Sequence, residues 1–194
     1  MATYDEYIQK RFNEHLENFK QKFPELELVY FAVQGSQNYG LDFYGDGYCS
    51  DLDTKAIVLP SLDDIVANKQ PISFTFIREN EEHIDIKDIR VMFETFKKQN
   101  VNYIEILFSK WKYINPFYEK YFAELINNRE EIARFNYNQA IRCMAGMSFE
   151  KKKALCHPYP TIKDKIDKYG YDGKQLHHII RMNDFIKNYV NGSS

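Results

Sequence analysis

Apolar side chains recur at helical spacing near the start of the chain, at Tyr7, Ile8, Phe12, Leu16 and Phe19. This spacing predicts an amphipathic helix over residues 4–23, which Pro24 cannot continue. Residues 26–33 are rich in β-branched and aromatic side chains and stop before Gly35. That composition predicts a buried strand running into a turn.

Further strands are indicated by the segments that follow. DLDTKAIVLP predicts a strand that ends at Pro60, while ISFTFI and EHIDIK alternate in polarity and predict a hairpin. Asp88 is expected to cap a helix that runs through Lys98. From Asn102 onward the apolar spacing is mostly helical.

This order of elements predicts an α+β fold. We expect a small mixed, mainly antiparallel sheet with flanking helices over residues 1–110. A helical C-terminal region, residues 111–194, is expected to pack on that core.

Composition narrows the function classes. The formal net charge is −2 and the pI about 6.2, so the chain does not attract nucleic acid by bulk charge, and a polynucleotide partner needs a local basic patch. Three scattered cysteines without a CxxC pair argue against a disulfide framework or a zinc site. The polar start and short apolar runs predict no signal peptide and no membrane span, so a cytoplasmic location is expected.

Two aspartates carry the clearest chemical signal. Asp51 and Asp53 flank Leu52 at the start of a predicted strand, so alternation turns both carboxylates to one side. Carboxylates this close repel each other unless a cation lies between them. Mg²⁺ (or Mn²⁺) is the expected cofactor, because it prefers carboxylate oxygens and keeps sites for water and phosphate.

Gly35 and Ser36 supply a complementary feature. They follow a predicted strand and open a predicted helical turn, where free backbone N–H groups and a hydroxyl favour phosphate. An anion-binding turn followed by a metal-binding carboxylate pair is what phosphoryl transfer requires.

These residues resemble a known family. The order Gly-Ser followed by Asp-x-Asp on the next strand is similar to the DNA polymerase beta-like nucleotidyltransferase superfamily. Within it, the chain resembles predicted bacterial and phage members that have a GSxxYG…SDxD signature and are associated with RNA repair. The matching positions are Gly35, Ser36, Tyr39, Gly40, Ser50, Asp51 and Asp53.

Two later segments extend the resemblance. NVNYIEILFS resembles an Asn-containing, Glu-Leu helical segment of that branch, and GYDGKQLHHIIRM resembles its late block through Lys174, His178 and Arg181. Lys174, His178 and Arg181 also share one helix face by their spacing, and a row of cations on that face suits a triphosphate. Without the resemblance, they are equally well read as an exposed face. The Lys151–Lys153 run is better explained as solvated than as an RNA contact.

The resemblance implies transfer of a nucleoside monophosphate from an NTP to a hydroxyl acceptor, such as an RNA 3′ end, a protein or a small molecule. It also implies a third carboxylate on a later strand. Asp85 is preferred because alternation turns it away from the core, whereas Asp88 fits a helix N-cap better. Asp51, Asp53 and Asp85 are then the metal ligands. Gly35, Ser36, Tyr39, Lys174, His178 and Arg181 are the nucleotide contacts.

Two other readings stay open. An inactive or regulatory nucleotide-binding protein of the same fold binds NTP without turnover. A two-metal nuclease uses the same carboxylates but has no need of the Gly-Ser turn.

Overall fold

The computed structural model describes residues 3–45 and 48–192 and contains the mixture of helices and strands predicted from the sequence. The strands are β1 (Glu27–Gln34), β2 (Tyr44–Gly45), β3 (Tyr48–Cys49), β4 (Asp53–Leu59), β5 (Ser73–Ile77), β6 (His83–Asp88) and β7 (Lys112–Ile114). The helices are α1 (Tyr4–Lys22), α2 (Leu62–Val66), α3 (Ile89–Lys97), α4 (Val101–Ile104), α5 (Glu119–Asn127), α6 (Arg129–Arg134), α7 (Tyr137–Ala154), α8 (Lys163–Tyr169) and α9 (Gly173–Val190). The α+β prediction is confirmed.

The first helix begins at a reciprocal cap. The Thr3 hydroxyl accepts from the Glu6 N–H at 3.3 Å, and the Glu6 carboxylate accepts from the Thr3 N–H at 2.8 Å. Both bonds satisfy N–H groups that have no partner inside a helix. The helix ends at Lys22, one residue before the predicted end and two residues before Pro24.

Five strands form one sheet in the order β5-β6-β4-β1-β7. The β1–β4, β1–β7 and β5–β6 pairs are antiparallel, whereas β4 and β6 are parallel. The predicted mixed, mainly antiparallel sheet is therefore confirmed, including the β5–β6 hairpin. Parallel pairing of β4 and β6 brings their amino-terminal ends to the same edge of the sheet.

Apolar side chains cover both faces of the sheet. On one face α1 packs Phe12 and Phe19 against Phe31, with ring centroids 5.5 and 6.0 Å apart. On the other face Tyr30 stacks on Phe122 at 4.9 Å and donates its hydroxyl to the Ile106 carbonyl at 2.7 Å. Because these side chains are almost fully buried, the sheet is a rigid base for the residues at its edge.

The strand β7 was not predicted, because residues from Asn102 onward were expected to be helical. It pairs Lys112 and Ile114 with β1 at the sheet edge. The chain divides into two compact units, which we call the sheet unit (Met1–Lys97 and Asn102–Ala133) and the helical unit (Lys98–Val101 and Arg134–Ser194). No helix in the described part of the chain is long and apolar enough to cross a bilayer.

Candidate active site

The Gly-Ser turn and the Asp-x-Asp segment meet at one corner of the sheet. The last residue of β1, Gln34, is the antiparallel partner of Asp53, the first residue of β4. Beyond this pair, the Gln37 amide donates to the Asp51 carbonyl at 2.7 Å. Two segments that the sequence identified separately are therefore direct neighbours in the sheet unit.

The turn itself, residues 35–40, is a short 3₁₀ turn and not the start of an α-helix. Its backbone is closed by bonds from Asn38 N to the Gly35 carbonyl and from Leu41 N to the Ser36 carbonyl. Within residues 3–45 and 48–192, the N–H groups of Ser36 and Gln37 have no acceptor. Two adjacent donors of this kind form a small anion-binding concavity.

Gly35 has a backbone conformation that suits glycine, with φ of 91° and ψ of −145°. A side chain at this position is strained even though an added Cβ meets no atom within 4 Å. Gly40 differs, because its φ of 62° and ψ of 30° lie in the left-handed region that asparagine tolerates.

Replacing Gly35 with asparagine is therefore expected to lower the free energy of unfolding by about 1–3 kcal/mol. The matched variant Gly40→Asn should cost under about 1 kcal/mol. Urea unfolding followed by the fluorescence of Trp111 measures both. Equal costs at the two positions would contradict the strain assigned to Gly35.

Glu105 stabilises the turn through two hydrogen bonds. It was not identified as a site residue from the sequence. Its carboxylate accepts from the Gly35 N–H at 3.0 Å and from the Tyr39 hydroxyl. Glu105 is 7% exposed and follows α4 in the apolar segment NYIEILF, where one acidic residue was the available signal. Tyr39, predicted as a nucleotide contact, holds the turn in place through this bond.

Asp51 and Asp53, the acidic pair, belong to this corner and differ in their exposure and contacts. Leu52 is fully buried, whereas Asp51 is exposed and its carboxylate has no partner within the described residues. The Asp53 side chain is 38% exposed and accepts from the His83 N–H at 3.1 Å. The His83 imidazole lies 3.4 Å from the same carboxylate, and sequence reasoning had missed it.

Asp85 of β6 pairs with Lys55 of β4, two residues beyond Asp53, and therefore lies on the same sheet face as Asp53. Its neighbours Ile84 and Ile86 are fully buried on the opposite face, so the predicted alternation is confirmed. The carboxylate is engaged with cations, at 2.6 Å from Lys55 Nζ and 2.8 Å from Lys87 Nζ. Burial opposes ionisation of Asp85, but these ammonium groups outweigh it and hold the pKa of the carboxyl below its ordinary value.

Lys55 is the second unpredicted residue of the site. It is 2% exposed on β4, opposite Asp85, and its Nζ lies 4.0 Å from the centroid of the Tyr103 ring. Burial lowers the pKa of Lys55, and the charge of Asp85 opposes that effect. Asp85 was predicted to be the third metal ligand. The buried Lys55 ammonium instead lies where a metal ion bound to Asp85 would be expected.

Asp88 agrees with the interpretation as a helix cap. It is 1% exposed, and its carboxylate accepts from the Arg90 N–H at 2.8 Å in the first turn of α3. It also pairs with the Arg90 guanidinium at 2.7 Å. Both carboxylate oxygens are thus used structurally.

Asp51 and Asp53 supply carboxylate oxygens, the ligands that a hard divalent cation prefers. In the described ranges, no three His, Cys, Asp or Glu side chains are arranged to hold a metal together. Asp53 begins β4 and Asp51 precedes the strand by two residues, whereas Asp85 is paired with Lys55. Mg²⁺ is commonly bound through one or two carboxylates plus substrate phosphates and water, so the accessible pair suits it.

Behind the acidic pair lies a buried ionic cluster centred on Glu82, which we call the Glu82 cluster. Glu82 is 3% exposed and accepts from His15 at 2.8 Å, Arg78 at 2.8 Å, Asn80 at 2.7 Å and also from Arg11. Burial alone raises the pKa of Glu82, but hydrogen bonds from His15, Arg11 and Asn80 hold it well below its usual value. The carboxylate is therefore ionised and fully used.

The Glu82 cluster also fixes the backbone of the acidic segment. Glu82 accepts from the Leu52 N–H at 3.2 Å, and Arg11 donates to the Ser50 carbonyl at 3.0 Å. With the Gln37 bond to Asp51, three consecutive residues between β3 and β4 are held by hydrogen bonds from other segments of the chain. This support positions Asp51 and Asp53, and no local sequence motif revealed it.

The predicted late block lies in the helical unit. Lys174, His178 and Arg181 all belong to α9, and His178 is half-buried. Burial, followed by the charges of Arg181 and Lys151, lowers the pKa of His178 to about 4. The three predicted residues therefore form one basic group, which Lys151 of α7 joins.

Comparisons of this chain with protein-family models, with curated proteins and with solved structures found no match.

Proposed function

We propose that the protein transfers a nucleoside monophosphate from an NTP to a hydroxyl acceptor and releases pyrophosphate. The observation that carries this proposal is the corner where the unpaired N–H groups of Ser36 and Gln37 adjoin Asp51 and Asp53. Donors for phosphate and oxygens for a cation are both needed to stabilise the charge that develops on a transferred phosphoryl group.

In this proposal the turn binds the β- and γ-phosphates. The N–H groups of Ser36 and Gln37 and the Ser36 hydroxyl donate to phosphate oxygens, and Gly35 permits close approach of the backbone. The Glu105 carboxylate accepts a hydrogen bond from the Gly35 N–H and thereby fixes the orientation of the turn. Binding the leaving pyrophosphate in this way favours the geometry of in-line displacement.

Asp51 and Asp53 would hold Mg²⁺ or Mn²⁺ through their carboxylate oxygens. The bound cation supplies neutralisation of phosphate charge and lowers the pKa of an acceptor hydroxyl. For Asp85 to act as the third carboxylate, the Lys55 ammonium has to leave it. While Lys55 stays, it neutralises Asp85 within the protein.

The direct test is incubation of the protein and Mg²⁺ with each α-labelled NTP, together with cell RNA or cell protein extract. We expect label in one acceptor fraction and one pyrophosphate released for each nucleotide incorporated. Label that appears equally with γ-labelled NTP would contradict nucleotidyl transfer, because the γ-phosphate leaves with pyrophosphate.

A nucleotide-binding protein without turnover is the second candidate. The specific observation in its favour is the pairing of Asp85 with Lys55 and Lys87, which occupies the predicted third ligand. Isothermal titration with Mg²⁺ and NTP, beside a pyrophosphate assay, separates the two functions. Tight binding without pyrophosphate release over hours supports this second candidate.

A further inference from the structure

The two units of the chain carry opposite charge. The helical unit has 12 lysines and arginines against five acidic residues, a formal net charge of +7. The sheet unit has 14 lysines and arginines against 23 acidic residues, a formal net charge of −9. The overall value of −2 therefore hides a strongly basic module, which is the electrostatic signature of a polyanion-binding surface.

Within the helical unit, α7 packs against α9. The four charges that act most strongly on His178 come from Arg181, Lys151, His177 and Lys174. We call these five residues the basic cluster. Like charges held together destabilise the folded state, so a cluster of this kind favours an anionic ligand.

Exposed aromatic rings lie beside this positive charge. A surface cavity of about 300 Å³ is lined by Tyr169, Tyr171, Lys165 and Lys174, so Lys174 belongs to both the cavity and the basic cluster. The two tyrosines are 60% and 42% exposed. Lys168 Nζ lies 4.9 Å from the centroid of the Tyr169 ring, so a base has to stack on the ring face that Lys168 leaves open. Exposed rings among cations are what sequence-tolerant binding of single strands uses, because bases stack on the rings while cations contact phosphates.

We propose that the helical unit binds single-stranded nucleic acid through the basic cluster and the tyrosines of the adjoining cavity. The strand is thereby identified as the acceptor class of the proposed transfer, and in that respect the inference rests on the proposed function. The binding itself requires neither NTP nor Asp51 and Asp53. Free phosphate or a lipid headgroup uses the cations but gives the tyrosines no role.

Fluorescence anisotropy with a labelled single-stranded RNA, and with a DNA of the same sequence, tests the binding in EDTA across a salt series. Four phosphate contacts, from Lys151, Lys165, Lys174 and Arg181, give an expected slope of log affinity against log salt of about −3. The double variant Lys151→Gln/Lys174→Gln should reduce the slope to about −1.4 and weaken binding about 25-fold at 0.1 M salt.

Two further variants make the test specific. Lys10→Gln/Lys120→Gln removes the same charge from exposed positions of the sheet unit and should leave the slope unchanged. Tyr169→Ala should weaken binding about 5-fold or more at an unchanged slope, because stacking does not release ions. Tight binding of either RNA or DNA with these effects supports the proposal.

The proposal is overturned if neither strand binds, or if both double variants weaken binding equally. It is also overturned if ATP displaces the strand at stoichiometric concentration, since the cluster then serves the triphosphate. The proposal is likewise overturned if heparin or acidic vesicles bind as tightly as the single strand and Tyr169→Ala does not weaken binding of the strand. Apart from the ATP competition, the assay contains no NTP and no free divalent cation, so failure of the transfer chemistry leaves its result unchanged.

Discussion

Replacing Glu82 with glutamine is expected to lower the free energy of unfolding by about 3–5 kcal/mol, because it leaves buried cationic partners without a counter-charge. Arg11 and Arg78 have side chains only 14% and 16% exposed, so solvent cannot replace the carboxylate. The amide of glutamine also turns its own donors toward groups that donate. Urea unfolding followed by Trp111 fluorescence measures the loss.

The neighbouring variant Glu81→Gln is the matched control for this charge change. Glu81 is exposed, and the same loss of charge should alter stability by no more than about 0.5 kcal/mol. A cost at Glu82 as small as that at Glu81 would show that the cluster does not anchor the acidic segment.

Replacing Asp53 with asparagine is expected to reduce nucleotide transfer about 100-fold or more, since a metal contact contributes several kcal/mol of transition-state stabilisation. Asparagine still accepts from the His83 N–H, so the fold should be preserved. The rate of pyrophosphate release in Mg²⁺ and the NTP that labels the acceptor measures the effect.

Asp63→Asn is the control, because Asp63 is an exposed carboxylate on α2 in the same unit. It should leave the rate within a factor of two of the unmodified protein. Asp53 would be excluded from the chemistry if the Asp53→Asn variant melts at the same temperature as the unmodified protein and keeps more than half its rate of pyrophosphate release.

The elements that the sequence predicted are those with one dominant period. The apolar spacing of α1 and the alternation of β5 and β6 identified these elements, and Asp88 was assigned to its cap correctly. The three-residue strand β7 was missed because Lys112–Ile114 is too short to show a period of two. Its pairing with β1 depends on tertiary contacts and not on local preference.

The candidate site was predictable only in its local parts. The Gly35 turn and the aspartates follow one another along the chain, so their chemistry could be read in order. Glu105 lies 70 residues from Gly35, and Lys55 lies 30 residues from Asp85. Alternation correctly predicted which face Asp85 occupies, but its partner depends on the parallel pairing of β4 and β6.

The basic cluster shows the same division between local and tertiary information. Helical spacing placed Lys174, His178 and Arg181 on one face, whereas Lys151 joins them from another helix. Local spacing within the Lys151–Lys153 run carries no sign of this contact. The basic character of the helical unit became apparent only when its boundaries were known, because the acidic sheet unit cancels its charge in the total.

A crystal structure of the protein with Mn²⁺ and an NTP analogue that cannot be cleaved between the α- and β-phosphates shows whether this corner binds metal and triphosphate together. We expect an anomalous Mn²⁺ peak bonded to carboxylate oxygens of Asp51 and Asp53. We also expect phosphate oxygens within hydrogen-bond distance of the Ser36 and Gln37 N–H groups. A triphosphate bound away from this turn, with Mn²⁺ touching neither aspartate, would contradict the proposed site.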